Sequence, residues 1–281
     1  CQRCNAFLCQ WATVSRGNMW TCSICRNENI YFGGGPLLTE RPEMSGPVVD
    51  LIAPPTFVGL PSVKPTFMFI IDCSEEAYRL AFPQAVTASI ISCLERMDDN
   101  TFVSMITVSN TISVYDLAKM KQTTFVELDE PIETNIKPFR LGDVRENLCM
   151  FLKIIQEIPK TTTKGNCYGN ALELCEHILK ESGGLVMSFI CSTPSNGPYK
   201  VLPRSADEKL HEEKMLRMNT KGCKDFYQQI SYKFARNGIT VYTFSSSEFV
   251  DLATIGIPTG LTGGHSFTYE NKTSNLLQLH N

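Results

Sequence analysis

Long apolar runs are missing from this sequence. The longest strand-like run, Phe67–Ile71, falls far short of the roughly 18 residues that cross a bilayer, which argues against a membrane-spanning helix. Charge of one sign is missing as well: 26 Lys and Arg against 29 Asp and Glu leave a net charge of −3 over 281 residues. That weak acidic balance argues against bulk binding of nucleic acid, which leaves a basic footprint. No internal repeat, low-complexity tract or secretory-signal pattern occurs in these residues. The chain opens on Cys1 without an initiator Met, and the expectation is a fragment of a longer protein.

Catalytic motifs are absent too. No GxxxxGK[ST] occurs, and Thr163-Lys164-Gly165-Asn166 is not a phosphate loop. His211-Glu212-Glu213-Lys214-Met215 begins like HExxH but ends in Met, so a zincin pair is lacking. Ser195-Asn196-Gly197 follows Pro194 and not the glycine of a nucleophile elbow. His177, His211, His265 and His280 have no ligand spacing, and His265 reads as a surface or turn residue. The reading is a protein that is not an enzyme.

What is present suits a folded chain with a sizeable core. Apolar residues make up 43% and charged residues 20%, and the length fits one large domain or one domain plus a small module. Twelve cysteines are many, yet their distribution matters more. Cys1, Cys4, Cys9, Cys22 and Cys25 crowd the start. Cys73, Cys93, Cys149, Cys167, Cys175, Cys191 and Cys223 are single and widely spaced, unlike a secreted disulfide framework. They read as reduced core thiols of a cytosolic protein, and the sequon at Asn271 as a chance match.

Cys1-Gln2-Arg3-Cys4 and Cys22-Ser23-Ile24-Cys25 form a CxxC…CxxC pattern with 17 residues between the pairs. Each pair turns two thiolates onto one ion, and two pairs complete a closed tetrahedral site. With no position open to water or substrate, one structural zinc held by Cys1, Cys4, Cys22 and Cys25 is expected. Such an ion supplies on the order of 10–16 kcal/mol in model fingers, in place of a core that about 35 residues cannot build. Trp20 is placed to cover one side of the site, Asn29 to hydrogen-bond the knuckle backbone, and Cys9 is a spare thiol. RNA-binding and Ran-binding fingers share the string from Trp20 to Asn29, but their second cysteine pair follows the Asn, whereas here the next cysteine is Cys73. Arg3, Arg16 and Arg26 are a thin footing for phosphate contacts, so no nucleic-acid partner is expected.

Prolines then break the pattern. Residues 36–65 read as a Pro-rich joint between a finger at 1–35 and a main domain at 66–281, with Val48–Ile52 able to pair as an edge strand. After Pro65 strands and helices alternate. Thr66–Ile71 reads as a central parallel strand and 75–97 as a helix. A hairpin of Phe102–Val108 and Thr111–Leu117 follows, then helices around Val144–Ile155 and Ala171–Ile178. Leu185–Cys191 reads as a strand, Phe226–Phe234 as a helix, and Ile239–Phe244 and Gly264–Tyr269 as further strands. The fold class expected is α/β: an open, mostly parallel sheet with helices on both faces. Polar and charged residues dominate from Lys200 to Lys214, read as a solvated loop or exposed helix ahead of a docking loop.

Asp72-Cys73-Ser74-Glu75-Glu76 closes the first main strand. A von Willebrand factor A domain carries DxSxS there and holds magnesium with it. Here Asp72 and Ser74 fit and Glu76 replaces the second Ser, so a capping turn is the favoured reading over a metal site.

Taken together, the sequence resembles the zinc finger plus trunk domain of the COPII inner-coat subunits, the Sec23/Sec24 family. The resemblance spans essentially the whole chain. It includes the finger with Trp20 and Asn29, Asp50–Pro54, the entry strand from Phe67 to Ser74, Ile106–Leu117 and Gly183–Phe189. Asn196–Arg204, Phe244–Ala253 and Leu261–Gly264 bring it closest to the cargo-adaptor subunit, Sec24. The last stretch is common to both subunits, while Val250–Ala253 is adaptor-like.

The resemblance implies a von Willebrand factor A-like trunk with a degenerate metal site, and further domains in the full-length protein. It implies a cargo adaptor in endoplasmic reticulum to Golgi transport, paired as a heterodimer with the other inner-coat subunit. Other implied partners are cargo and SNARE cytosolic tails and a Sar-type GTPase within the assembled coat. The expected location is cytoplasmic, peripheral on the cytosolic face of endoplasmic reticulum exit sites and COPII vesicles. Two alternatives stay open: the GTPase-stimulating inner-coat subunit, and a metal-dependent von Willebrand A-type binder using Asp72 and Ser74. Family members often place basic residues around the first CxxC beside a pocket for acidic export signals; here Asn5 follows Cys4, and no cargo-binding residue is carried over.

Overall fold

The computed structural model describes residues 1–15, 18–33, 38–52, 64–157, 163–201, 221–246 and 250–269. It divides into two units, Cys1–Val58 and Gly59–Asn281.

The smaller unit is a three-stranded antiparallel sheet of β1 (Thr13–Val14), β2 (Met19–Thr21) and β3 (Glu28–Ile30). Its core is small, with Ala12, Trp20 and Cys22 buried and Cys1, Leu8, Val14 and Cys25 packed against them. Helix α1 (Pro42–Ser45) follows, and the guanidinium of Arg41 lies 5.0 Å from the ring centre of Tyr31, donates to its hydroxyl and pairs with Glu43. The edge strand expected at Val48–Ile52 is not formed. Val48 and Ile52 are 86% and 99% exposed, and among the described residues no strand pairs with this segment. Residues 53–63 of the expected joint lie outside the described residues.

The larger unit is built on β4 (Thr66–Asp72), β5 (Phe102–Val108), β6 (Ile112–Asp116), β7 (Lys121–Phe125), β8 (Phe139–Arg140), β9 (Gly184–Ile190), β10 (Ile239–Ser245) and β11 (Ser266–Thr268). The order in space is β11-β10-β9-β4-β5-β6-β7, with β8 beside β5. From β11 through β5 neighbouring strands run parallel; β6, β7 and β8 join antiparallel. The helices are α2 (Glu75–Arg79), α3 (Phe82–Leu94), α4 (Leu141–Glu157), α5 (Tyr168–Leu179), α6 (Lys221–Arg236), α7 (Leu252–Ile255) and α8 (Ile257–Leu261).

Strand alternation divides the core in two. Met68 and Ile70 of β4 turn to one face, where Ile106, Val114, Val186 and Val241 meet α5 and α6 through Leu172, Cys175, Tyr227 and Phe234. Phe69 and Ile71 turn to the other, where Val103, Met105 and Tyr115 meet α3 and α4 through Val86, Ile90, Leu148 and Leu152. Coverage of both faces is why β4 reads as an unbroken apolar run, with no period of two. The expected α/β architecture, a mostly parallel sheet with helices on both faces, is the one observed.

One expected helix is two. The pattern over 75–97 breaks between Arg79 and Phe82, with Ala81 in the left-handed region at φ 53°. Pro83 has no N–H to give the Arg79 carbonyl and its ring would strike that turn, so α3 must start afresh. Strand β7 is missing from the sequence reading because Lys121-Gln122-Thr123-Thr124 carries no apolar alternation. Helices α7 and α8 are too short to give a helical period, and α8 also carries Pro258 and Gly260. Most of the charged stretch after Val201 lies outside the described residues, as do Pro159 and Asn271.

The turn from α5 into β9 depends on two glycines. Gly183 has φ +63° and Gly184 φ +142°, and a Cβ on Gly184 would sit 2.8 Å from the Thr66 carbonyl oxygen. Gly184→Ala combines a Gly-only conformation with a clash against backbone. It should lower unfolding free energy by about 2–3 kcal/mol, read by urea denaturation against wild type. An unchanged midpoint would show that this turn tolerates a side chain.

Candidate functional site

The four cysteines that the spacing selects come together. The sulfurs of Cys1, Cys4, Cys22 and Cys25 all lie within 4.8 Å of one another, with Cys1–Cys25 at 3.5 Å and Cys4–Cys22 at 3.6 Å. A tetrahedron with metal–sulfur bonds of about 2.3 Å has sulfur–sulfur edges of about 3.8 Å, so this four-Cys cluster could hold a metal ion.

The backbone explains why the sulfurs converge. After each CxxC the chain turns through a left-handed residue, Asn5 at φ 57° and Arg26 at φ 60°. The Asn5 and Arg26 amides donate to the carbonyls of Cys1 and Cys22, at 2.9 and 3.0 Å. The cluster is thus two equivalent knuckles facing each other. Asn is among the few non-glycine residues that enter this region readily, which gives Asn5 a structural reason to follow Cys4. Asn29 ties the knuckles together: its Oδ1 accepts from the Gln2 amide at 2.9 Å, and its Nδ2 donates to the Asn27 carbonyl at 2.8 Å. Trp20 is buried beside Cys22, as expected of a residue covering the site. Cys9 stands outside the cluster with its sulfur 3.5 Å from the Ser23 hydroxyl. The Cys22 thiol is drawn down to about 7, chiefly by the hydrogen bond from the Cys25 amide. Cys4 moves the other way: the Ala6 amide pulls it down, but hydrogen bonding with Cys25, lost hydration and the Cys22 thiol together outweigh that pull.

A second candidate lies where the sheet reverses direction. From β4 the chain steps to β5 on one side, while β9, β10 and β11 lie on the other, so the crevice between the carboxyl ends of β4 and β9 is where open α/β sheets bind ligands. Asp72 sits in that crevice, fully buried. Its Oδ1 accepts from the Ser74 amide at 3.0 Å. Its Oδ2 accepts from the amides of Cys191 and Ser192 (3.0 and 2.8 Å), the Ser192 hydroxyl (2.8 Å) and Asn166 Nδ2 (3.0 Å).

Ser74 is equally committed. Its hydroxyl donates to Ser192 Oγ at 3.0 Å and accepts from the Ala77 amide, capping α2. Glu76 points to solvent and pairs with Arg79 at 2.9 Å. The capping reading of Asp72 and Ser74 is therefore the one observed. The lone pairs a cation would use already hold protein donors, and Asn166 and Ser192 occupy the space between the strands. Nothing local in the sequence singles out either residue, since donors 94 and 120 positions from Asp72 leave no pattern beside it.

Four cysteines of the larger unit are held in the thiol form by burial. Burial pushes the thiols of Cys73 and Cys167 up to about 12 and raises those of Cys175 and Cys191 further, which fits core thiols, whereas Cys93 is exposed and Cys149 only half-buried, so the core reading does not extend to them. Among the described residues His177 and His265 are far apart in the sheet order, one on α5 and the other beside β11. No helix among the described residues is long and apolar enough to cross a membrane.

Asp72→Asn puts an NH2 group where Oδ1 or Oδ2 accepts from N–H groups, and should cost about 3 kcal/mol in a denaturant series. Millimolar magnesium should leave the wild-type thermal midpoint unchanged. A magnesium-dependent rise that disappears in Asp72→Asn would overturn the assignment of this carboxylate to a protein clamp.

Three comparisons bear on this geometry. Residues 62–278 match the family model described as Sec23/Sec24 trunk domain. Among curated proteins, the Arabidopsis thaliana protein transport protein SEC24 A is 26% identical, over 96% of this chain and 28% of its own length. Human protein transport protein Sec24A is 23% identical, over 96% of this chain and 26% of its own length. The chain thus spans only about a quarter of these relatives. Among solved structures, human COPII-coat protein Sec24c superposes with a TM-score of 0.75 at 20% identity, covering 100% of this chain and 42% of that one.

Proposed function

This chain belongs to the Sec23/Sec24 trunk-domain family, and on that premise we propose that it is part of a non-enzymatic, Sec24-like COPII coat subunit. In this reading it is a cargo adaptor in transport from the endoplasmic reticulum to the Golgi. It pairs with the other inner-coat subunit and contacts cargo and SNARE tails and a Sar-type GTPase, on the cytosolic face of the endoplasmic reticulum. The observation that carries the reading is that similarity to curated SEC24 proteins runs over 96% of the chain, through both units. The filled crevice at Asp72 supports it from the physical side. A trunk whose ligand crevice is occupied by its own Asn166 and Ser192 acts through surfaces, which would bury about 800 Å² or more on each partner.

We assign one structural zinc to Cys1, Cys4, Cys22 and Cys25. Four thiolates close the coordination shell, leaving the ion to fold the module and not to activate water. The division that goes with it is a finger at 1–35, a joint at 36–65 and a trunk at 66–281.

The test is a pull-down of the chain with the purified partner inner-coat subunit, with zinc measured on the same sample. Binding at about one zinc per chain is expected. Zinc without binding would remove the pairing assignment, and binding without zinc would remove the ligand set. Cys22→Ser should abolish zinc retention and unfold the smaller unit, seen as loss of the buried Trp20 fluorescence signature, while the trunk still unfolds cooperatively. Full zinc content in that variant would show that another residue completes the site.

A further inference from the structure

The sheet of the larger unit has two ends that differ in what they offer. At one end β11 is three residues long. At the other, β7 runs for five residues, and among the described residues β6 is its only strand partner. No described backbone hydrogen bond is made on its outer side. Edge strands are ordinarily blunted by charge, proline, a bulge or a covering element. Lys121-Gln122-Thr123-Thr124-Phe125 has a single charge, no proline and two β-branched residues, and Val126 beyond it is 71% exposed.

A groove of about 630 Å³ adjoins this edge. One wall is the alternate residues Lys121, Thr123 and Phe125, and the facing wall includes Glu133, Ile136 and His177. That far wall is anchored: the His177 Nε2–H donates to the Thr134 carbonyl at 3.0 Å, and Lys137 pairs with Glu181 at 3.1 Å. An unpaired strand edge with a fixed groove that meets every second side chain is the combination that strand addition uses. A helix laid in the same groove would leave the β7 edge unsatisfied.

The charges around it select the occupant. Asp116 is paired with Lys119 at 3.3 Å, whereas Lys121 and Lys180 make no ion pair among the described residues; Glu133 on the facing wall makes none either, so the unpaired charges along the groove are two cations against one anion and the cation on the β7 side is Lys121. We propose that β7 and this groove dock an extended segment of a partner protein. The segment adds to the sheet as a further strand, with an acidic side chain over Lys121 and an apolar one over Phe125 and Ile136. The side chains at Lys121 and Phe125 are four residues apart on one strand face, so the two anchors of the segment are four residues apart as well. This inference is independent of the coat reading, since it uses only this edge and its charges.

The chain is screened against a displayed library of random twelve-residue peptides, and the enriched peptides are remeasured by calorimetry. Expected are peptides with Asp or Glu four positions from a large apolar residue. Their binding should slow amide exchange at Lys121–Phe125 and weaken about tenfold in Lys121→Glu. Lys121 is exposed and lies opposite Asp116 in the β6–β7 ladder, so Lys121→Ala, which brings no like charge there, should weaken the same peptides while keeping the wild-type thermal midpoint, which separates lost binding from lost fold. Absence of such a motif, no added protection at β7, or equal affinity for Lys121→Glu would each overturn the proposal.

Discussion

The larger unit depends on one buried carboxylate. Asp72 ends the central strand at the point where the sheet reverses, and a charge buried there must be met by donors or not exist at all. It is met by two backbone amides at the end of β9, a third at the start of α2, and the side chains of Ser192 and Asn166. Through these bonds Asp72 joins β4, β9 and the segment entering α5, and Ser74 extends the network by capping α2. The same bonds close the crevice in which folds of this kind commonly hold a ligand. The stability of this junction and the filling of its crevice have one cause.

The smaller unit rests on different physics. A module this short cannot bury enough apolar surface, and its core amounts to Ala12, Trp20 and Cys22 with a few partly buried neighbours. What organises it is the meeting of two knuckles, each closed by a left-handed residue and linked by Asn29. The donor set suits an ion that supplies folding energy directly. The two units thus solve the same problem at two sizes: apolar burial on two sheet faces in one, convergence of four free thiols in the other.

Among the described residues, the groups capable of chemistry are largely committed to the fold. Buried thiols are held protonated by desolvation, the described histidines lie on separate elements, and the Asp72 carboxylate at the crevice is committed to the fold. Among the described residues β7 keeps an unpaired outer edge, the feature on which the strand-addition proposal rests.

The sequence by itself determined the elements with strong periodicity and the cluster with specific spacing. β4, the β5–β6 pair, α4, β9 and β10 follow from apolar runs and their punctuation, because burial on both faces of a parallel sheet writes itself into composition. The four cysteines follow from CxxC spacing, because two thiolates per turn need no tertiary information to be adjacent. The split of 75–97 was written in Pro83 but hidden by the apolar period on either side of it. The tertiary structure alone decided that Asn166 and Ser192 reach Asp72 across 94 and 120 positions, since long-range donors leave no local pattern. It alone decided that β7 is a strand, because a polar edge is fixed by its neighbour's backbone and not by its own side chains.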